Sequence, residues 1–411
     1  MHIVNILVDP IKNSLAITDT QFSVFQGAAL VAFAVLLGLP VARVADRASR
    51  RNIILSGVLL WSVGSVLCAG AQTFAQLLAA RALVGVGEII LFPAALSMIH
   101  DLSPRQRLAT SIGVFGSGGP VGAALAMLVG GWLVSRSDAV GMLNLGFGSA
   151  EAWRVAFVAC GLFGGLAALG LLTIAEPDRT PRSERDRANA APLSKHLRAR
   201  WRLYLGVSGG FVLLSIAVLA FNAWAPTYLI RMHAFSYAAA GQLTGLAAIV
   251  CAVAGAWSAG LSIDWLQRTG RRDAAMLASL VAAVLLAASV TAAMLTSSVV
   301  WMSVFFCVVY FLLGMPTVLG GTALQQISPD HLRAQIMSVH VLLVNVLALS
   351  IGPTSVALLT DHVFGTPVSV GRSIATSVSL SSSLAIVALL ASRRSFSATR
   401  DELEVQPNSK R

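Results

Sequence analysis

Residues 42–51 read Ala42-Arg-Val-Ala-Asp46-Arg47-Ala-Ser49-Arg50-Arg51, and residues 260–272 read Gly260-Leu-Ser-Ile-Asp264-Trp-Leu-Gln-Arg268-Thr-Gly-Arg271-Arg272. Each stretch closes the second long apolar run of its half of the chain. A second match lies further on in both halves: Asp101-Leu-Ser103-Pro104-x2-Arg107 has its counterpart in Ser328-Pro329-x3-Arg333. Matching loops in matching order mean a duplicated helical unit. The dividing point is the longest polar interruption, Glu176 to Arg202. Two copies of one bundle are the architecture of carriers that rock around a central site.

The runs between these loops are long and apolar. The chain has 411 residues, 56% hydrophobic and 11% charged, where a soluble domain carries about 25% charged residues. Its mean hydropathy is +0.78. A run of about 20 apolar residues crosses the hydrocarbon core as a helix, and lipid admits only helices or closed barrels. Eleven full spans are expected, near 21–42, 53–71, 75–99, 108–134, 153–175, 203–230, 238–263, 274–296, 298–324, 334–360 and 369–392. Residues 2–8 read as the end of a twelfth. They are too short to cross alone, so about 15–20 further residues are expected upstream of Met1. The fold class is therefore an all-α membrane protein of two pseudo-symmetric six-helix bundles with the first helix truncated. The expected domains are 1–175, a central loop 176–202, a second bundle 203–392 and a basic tail 393–411.

The net charge of +11 is distributed unevenly. Loops 43–52, 100–107, 176–202, 264–273 and 328–333 and the tail hold 23 of the 29 lysines and arginines; the opposite side holds five, Lys12, Arg136, Arg154, Arg231 and Arg372. That asymmetry is the positive-inside pattern and sets the central loop and C-terminus in the cytoplasm. The basic charge is thus an orientation signal, and no nucleic-acid partner is expected. Cys68, Cys160, Cys251 and Cys307 fall inside apolar runs with no metal-ligand spacing, so they read as small core residues and no metal or cofactor is expected.

Three motifs carry mechanism. Asp46 sits where a helix leaves the membrane, followed by Arg47, Arg50 and Arg51; a carboxylate there can face a neighbouring helix N-terminus and pair with arginines as a latch. Asp264, Arg271 and Arg272 repeat the pattern. The second motif is Arg81-Ala-Leu-Val-Gly85-Val-Gly87-Glu88, which places two ionisable side chains deep in one span. Seven residues apart, they share a helix face at roughly 10 Å. A charge facing lipid costs several kcal/mol, so both must face the protein interior or a wet cavity. A carboxyl group taken out of water holds its proton to higher pH and can act as a proton carrier. Glu88 is the expected proton or cation site. Arg81 either tunes it or meets an anionic substrate, and a purely structural buried pair is the alternative. The third is Gly113-x2-Gly116-x-Gly118-Gly119-Pro120-x-Gly122 with Gly130-Gly131, expected to allow close helix crossing, or else to act as a gating hinge. Asn222, Trp224, Tyr310, Thr317 and Asn345 are the polar cavity candidates, with packing as the equal alternative.

Together these segments resemble the major facilitator superfamily and, more narrowly, its Spinster-like branch. The loop 42–51 is similar to the superfamily's signature, with Ala42 and Ser49 where glycines are usual. Arg81 to Glu88 resembles the branch's fourth span, as do Leu60-Trp61-Ser62, Trp224-Ala-Pro-Thr-Tyr-Leu-Ile-Arg231, and Asn345 with Gly352-Pro353. The resemblance covers nearly the whole chain. It implies the major facilitator fold and proton-coupled alternating access, with Glu88 as the protonatable glutamate and Arg81 beside it. Animal members are associated with lysophospholipids and sphingolipids. The Asp-Arg pair that members usually carry in the first span falls upstream of Met1.

The reading is a secondary transporter of the cell inner membrane, a monomer in the lipid bilayer moving a small organic or amphipathic solute with protons. A drug or organic-anion transporter of the same superfamily is the alternative, and a channel or membrane enzyme is further off. An enzyme would need a clustered constellation such as paired histidines with a glutamate at helical spacing, which the sequence lacks.

Overall fold

The computed structural model describes residues 2–29, 31, 49–104, 107–136, 151–174, 176, 193–329 and 332–405. Among the described residues all regular structure is helical. The chain opens with a 3₁₀ turn, His2–Ile6, followed by α1 (Val8–Leu15) and α2 (Asp19–Ser23), which continues into a π turn at Val24–Ala28. The long helices α3 (Arg50–Gly70), α4 (Phe74–Leu102), α5 (Leu108–Ser135) and α6 (Ala152–Leu171) follow. The short α7 (Leu193–Ala199) leads into α8 (Trp201–His233), α9 (Tyr237–Arg268) and α10 (Ala274–Leu295). The remaining elements are α11 (Val299–Leu313), α12 (Met315–Gln326), α13 (Arg333–Leu343), α14 (Leu349–Leu358) and α15 (Val370–Val405).

Nine helices among the described residues are long and apolar enough to cross a membrane. The expected span at 298–324 is split at Gly314 into α11 and α12, and that at 334–360 contains a π turn at Val344–Ala348 and ends in another at Leu359–Phe364. Polar caps set the starts. Ser49 accepts from Asn52 N–H and Thr73 from Gln76 N–H, each at 3.3 Å, while Thr18 and Gln21 form a reciprocal capping box. Large apolar side chains point outward, among them Trp257 at 75% and Leu261 at 69% exposed. Water would penalise that surface; lipid solvates it.

The chain divides into two compact units, one of Met1–Pro181 with Pro226–Gly245, the other of Arg182–Ala225 with Leu246–Arg411. Helix α8 changes unit at Pro226, a residue with no amide hydrogen to continue the helix ladder. In the first unit α3 packs against both α4 and α6. A Cβ on Gly87 would lie 2.5 Å from the Gly57 carbonyl oxygen, so only glycine permits that backbone approach. In the second unit the Gly314 and Gly255 positions are closed in the same way by the Ala252 and Phe311 carbonyls.

The glycine-rich stretch of α5 departs from expectation. Nothing lies within 4 Å of a Cβ built on Gly118, Gly119 or Gly122. The crowded positions are Gly130, against Ile3 and Ile6, and Gly131, against the Tyr237 carbonyl. Small residues permit a crossing without compelling one, and here the close approach falls at the C-terminal end of the helix.

Candidate functional site

Arg81 and Glu88 both lie on α4. Arg81 is 3% exposed, and its Nε has no hydrogen-bond partner among the described residues. Its guanidinium sits 5.2 Å from the centroid of the Phe25 ring, a cation–π contact that partly offsets desolvation. Phe25 and Gln26 belong to the π turn Val24–Ala28, and π turns recur at functional sites because the extra residue redirects side chains. Gln26 is buried and donates from Nε2 to Asn5 Oδ1 at 2.6 Å, while its own Oε1 has no partner. An orphaned donor on Arg81 and an orphaned acceptor on Gln26 thus lie on either side of Phe25 in chain and contact. Glu88 is half-buried, with the Trp61 indole as its hydrogen-bonding neighbour and Gly87 against α3. No ion pair joins Arg81 to Glu88 among the described residues. Asn5 and Gln26 were not singled out by the sequence; the signal was available, since Gln26 is an amide inside an apolar run.

On the side carrying the basic loops, Asp46 and Arg47 lie outside the described residues. Arg50 is buried and pairs with Asp101, at the end of α4, and with Glu176 from its Nε at 3.2 Å. Glu176 also accepts from the Ser49 hydroxyl and the Arg51 amide N–H, each at 2.8 Å, and Arg51 Nη1 donates to the Ile174 carbonyl at 3.2 Å. Burial alone would raise the Glu176 carboxyl; the Arg51 amide, the Ser49 hydroxyl and Arg50 outweigh it and bring it from 4.5 to about 2.

The second copy of the motif does not repeat these contacts. Asp264, Arg271 and Arg272 are exposed, and the carboxylate engaged here is Asp273, paired with Arg393 of α15. Arg400 Nη1 donates to the Arg272 carbonyl at 2.6 Å. The likeness of the two loops is one of sequence, and the partners differ because α15 runs on past its membrane stretch to brace the second loop.

A third cluster lies at the other end of the first unit. Arg231 donates from Nε to Asp9 Oδ1 and Oδ2 at 3.0 and 3.3 Å, and from Nη1 and Nη2 to Asp19 at 2.9 and 3.0 Å. Lys12 also pairs with Asp19, which is fully buried. Burial pushes the Asp19 carboxyl upward, but Arg231 and Lys12 outweigh it and hold it below the usual carboxylate range. Nearby, Glu151 accepts from Ser14 at 2.6 Å and from Arg154 at 3.3 Å. Arg154 also donates to the carbonyls of Ala69 and Ala71, at 2.7 and 2.8 Å.

The cavity candidates separate. Trp224 is fully buried and donates from Nε1 to the Pro353 carbonyl at 3.0 Å, tying α8 to α14. Tyr310 is buried with its ring 5.7 Å from Phe221. Asn222 is half-buried, while Thr317 and Asn345 are exposed, Asn345 on the π turn that precedes α14.

These features define a polytopic α-helical membrane protein with buried ionisable groups inside one bundle and ion-pair clusters at its ends. The Major Facilitator Superfamily model matches residues 1–353, and the chain belongs to that superfamily. An "MFS-type efflux pump" of Mycolicibacterium smegmatis is 29% identical over 286 residues, covering 68% of this chain and 61% of the pump. The chain thus spans less than two thirds of that relative's length. The crystal structure of a bacterial homologue of the human lysosomal transporter Spinster, inward-facing and unoccupied, superposes with a TM-score of 0.78 at 23% identity, covering 97% of this chain and 93% of that one. A D-xylose–proton symporter superposes at 0.69 with 15% identity, covering 93% and 92%. At these identities the structures establish the fold.

Proposed function

We propose that this chain is a proton-coupled secondary transporter of the bacterial cytoplasmic membrane, working by alternating access between two six-helix bundles. Its cargo is a small organic or amphipathic solute. The observation that carries the reading is the placement of Arg81 and Glu88 on α4. Ionisable groups at bilayer depth are costly and are retained where they bind or relay charge. Glu88 takes and releases the proton. Arg81, with its Nε unsatisfied, is the charge that a substrate or the protonation cycle can engage. The resemblance of residues 81–88 to the Spinster-like branch supports this assignment. The proton symport named for the D-xylose transporter of like fold supports coupling in general.

In this reading the two end clusters brace the first unit, within which all of their residues lie. Arg50 with Asp101 and Glu176 holds one side, and Arg231 with Asp9, Asp19 and Lys12 holds the other. The excess of lysine and arginine in the basic loops supports a cytoplasmic side for the first cluster and the C-terminus.

Drug efflux is the second reading, favoured by the likeness to the mycobacterial efflux pump. It changes cargo and direction while keeping the site. The deciding experiment is uptake into proteoliposomes under an imposed proton gradient. Glu88→Gln is expected to abolish gradient-driven accumulation while sparing exchange of cargo. Unchanged driven uptake in Glu88→Gln removes the proton role.

A further inference from the structure

Five basic residues and a tryptophan crowd into eight positions where the central loop meets α8: Lys195-His196-Leu197-Arg198-Ala199-Arg200-Trp201-Arg202. The fold divides this group by role. Helix α7 turns Leu193, His196 and Leu197 inward, half-buried, and leaves Lys195 and Arg198 exposed. His196 Nε2 lies 3.1 Å from the Tyr204 hydroxyl, the two rings meet edge to face at 5.7 Å, and Tyr204 in turn donates to the Ile327 carbonyl at 3.0 Å. Arg200 pairs with Glu402 of α15 at 2.7 Å. Two of the five basic side chains therefore anchor the elbow to its own bundle.

The other three are left over. Lys195, Arg198 and Arg202 are exposed and have no acidic partner among the described residues. The Arg202 guanidinium lies 5.4 Å over the Trp201 ring, Trp201 is 53% exposed, and Leu205, one turn deeper, is 64% exposed. An outward tryptophan with an outward leucine one turn below it marks the level where headgroups meet acyl chains. Arg202 adjoins that level, Arg198 lies three residues before Trp201, and Lys195 lies six residues before it on α7. On the opposite side Lys12, Arg154 and Arg231 pair with carboxylates, and Arg136, exposed over the Trp132 ring at 4.8 Å, and Arg372, also exposed, stand singly and apart in sequence rather than as a cluster.

We propose that the α7–α8 elbow is a binding surface for an anionic phospholipid, with the phosphate of the headgroup held by Lys195, Arg198 and Arg202 and its acyl chain lying along Trp201 and Leu205. The chemistry fits a lipid better than a free anion. The cations are mutually repulsive on a solvated surface until a negative charge enters, and the apolar strip beside them has use only for an attached chain. Each basic residue near a membrane surface strengthens anionic-lipid attraction by roughly fivefold. Losing three should weaken it by about 100-fold, less whatever salt screens.

The test uses the purified full chain in mixed micelles doped with phosphatidylglycerol or phosphatidylcholine, reading the difference in melting midpoint between the two lipids. Phosphatidylglycerol is expected to raise the midpoint of the native chain by several degrees over phosphatidylcholine. Lys195→Gln/Arg198→Gln/Arg202→Gln should erase that difference, and Arg268→Gln/Arg271→Gln/Arg272→Gln, which removes the same charge elsewhere, should keep it. If the first triple variant does not fold, Arg198→Gln and Arg202→Gln singly should each shrink the difference, and Lys195→Arg/Arg198→Lys/Arg202→Lys should retain it. The proposal is overturned by any of four results: equal response to both lipids, an undiminished response in the elbow variants, an equal loss in the control triple, or full reproduction of the effect by inorganic phosphate.

Discussion

Arg231 holds Asp9 with two hydrogen bonds from its Nε and reaches Asp19 with both terminal nitrogens, so one guanidinium joins residues 222 positions apart in the chain. Breaking a buried ion pair by deleting one partner leaves an uncompensated charge. Arg231→Gln should therefore destabilise the folded protein by about 3 kcal/mol. Lysine lacks the planar fork and should restore only part of the loss. Thermal melting of both variants in detergent checks the order: native, then Arg231→Lys, then Arg231→Gln.

Acid should act on both ends of the first unit. Glu176 is depressed from 4.5 to about 2, and Asp19 also lies below the ordinary carboxylate range. A depressed carboxyl contributes stability that is complete above its unfolded pKa and is lost as pH falls through the folded value. The contribution of these two groups should be constant from pH 8 to pH 5 and decline below about pH 4. Melting midpoints between pH 2.5 and 8 test this; Glu176→Gln should lower the plateau and soften the acid limb.

Gly87 should tolerate no side chain. A Cβ there meets the Gly57 carbonyl at 2.5 Å and the Trp61 amide nitrogen at 2.8 Å, both backbone atoms that cannot swing aside. Gly87→Ala is expected to cost about 1–3 kcal/mol as α3 and α4 are forced apart, and Gly87→Val more. Gly118→Ala, where nothing lies within 4 Å, should leave the midpoint unchanged within a degree or so.

The Asn5–Gln26 bond should reveal itself through non-additivity. Gln26→Leu removes the donor to the buried Asn5 Oδ1, at about 1–3 kcal/mol. Asn5→Leu combined with Gln26→Leu removes both partners and should recover most of that loss. A double-mutant cycle read by melting supplies the coupling.

Much of the fold was legible because lipid leaves a chain few options. Apolar runs of membrane length must be helices, and the paired loops at 42–51 and 260–272 exposed the duplication. The buried position of Arg81 followed from the cost of a charge in hydrocarbon, without knowledge of its neighbours. The partners were another matter. Arg50 pairs with Asp101 and Glu176, from two other stretches of chain that the spacing of its own motif does not point to, while Asp46 lies outside the described residues. Trp224 left cavity lining and interhelical hydrogen bonding equally open in the sequence, and the bond to the Pro353 carbonyl is set by a residue 129 positions away.

What the sequence determined by itself was membrane insertion by long helices and which ionisable side chains had to be sheltered. Each of these depends on local composition against a fixed solvent thickness. Which carboxylate meets which arginine, that Arg81 lies over the Phe25 ring, and that glycine is obligatory at position 87 were decided only by tertiary structure. Those outcomes turn on distances between residues far apart in the chain, and short-range electrostatics and packing respond to tenths of an ångström that no sequence spacing records.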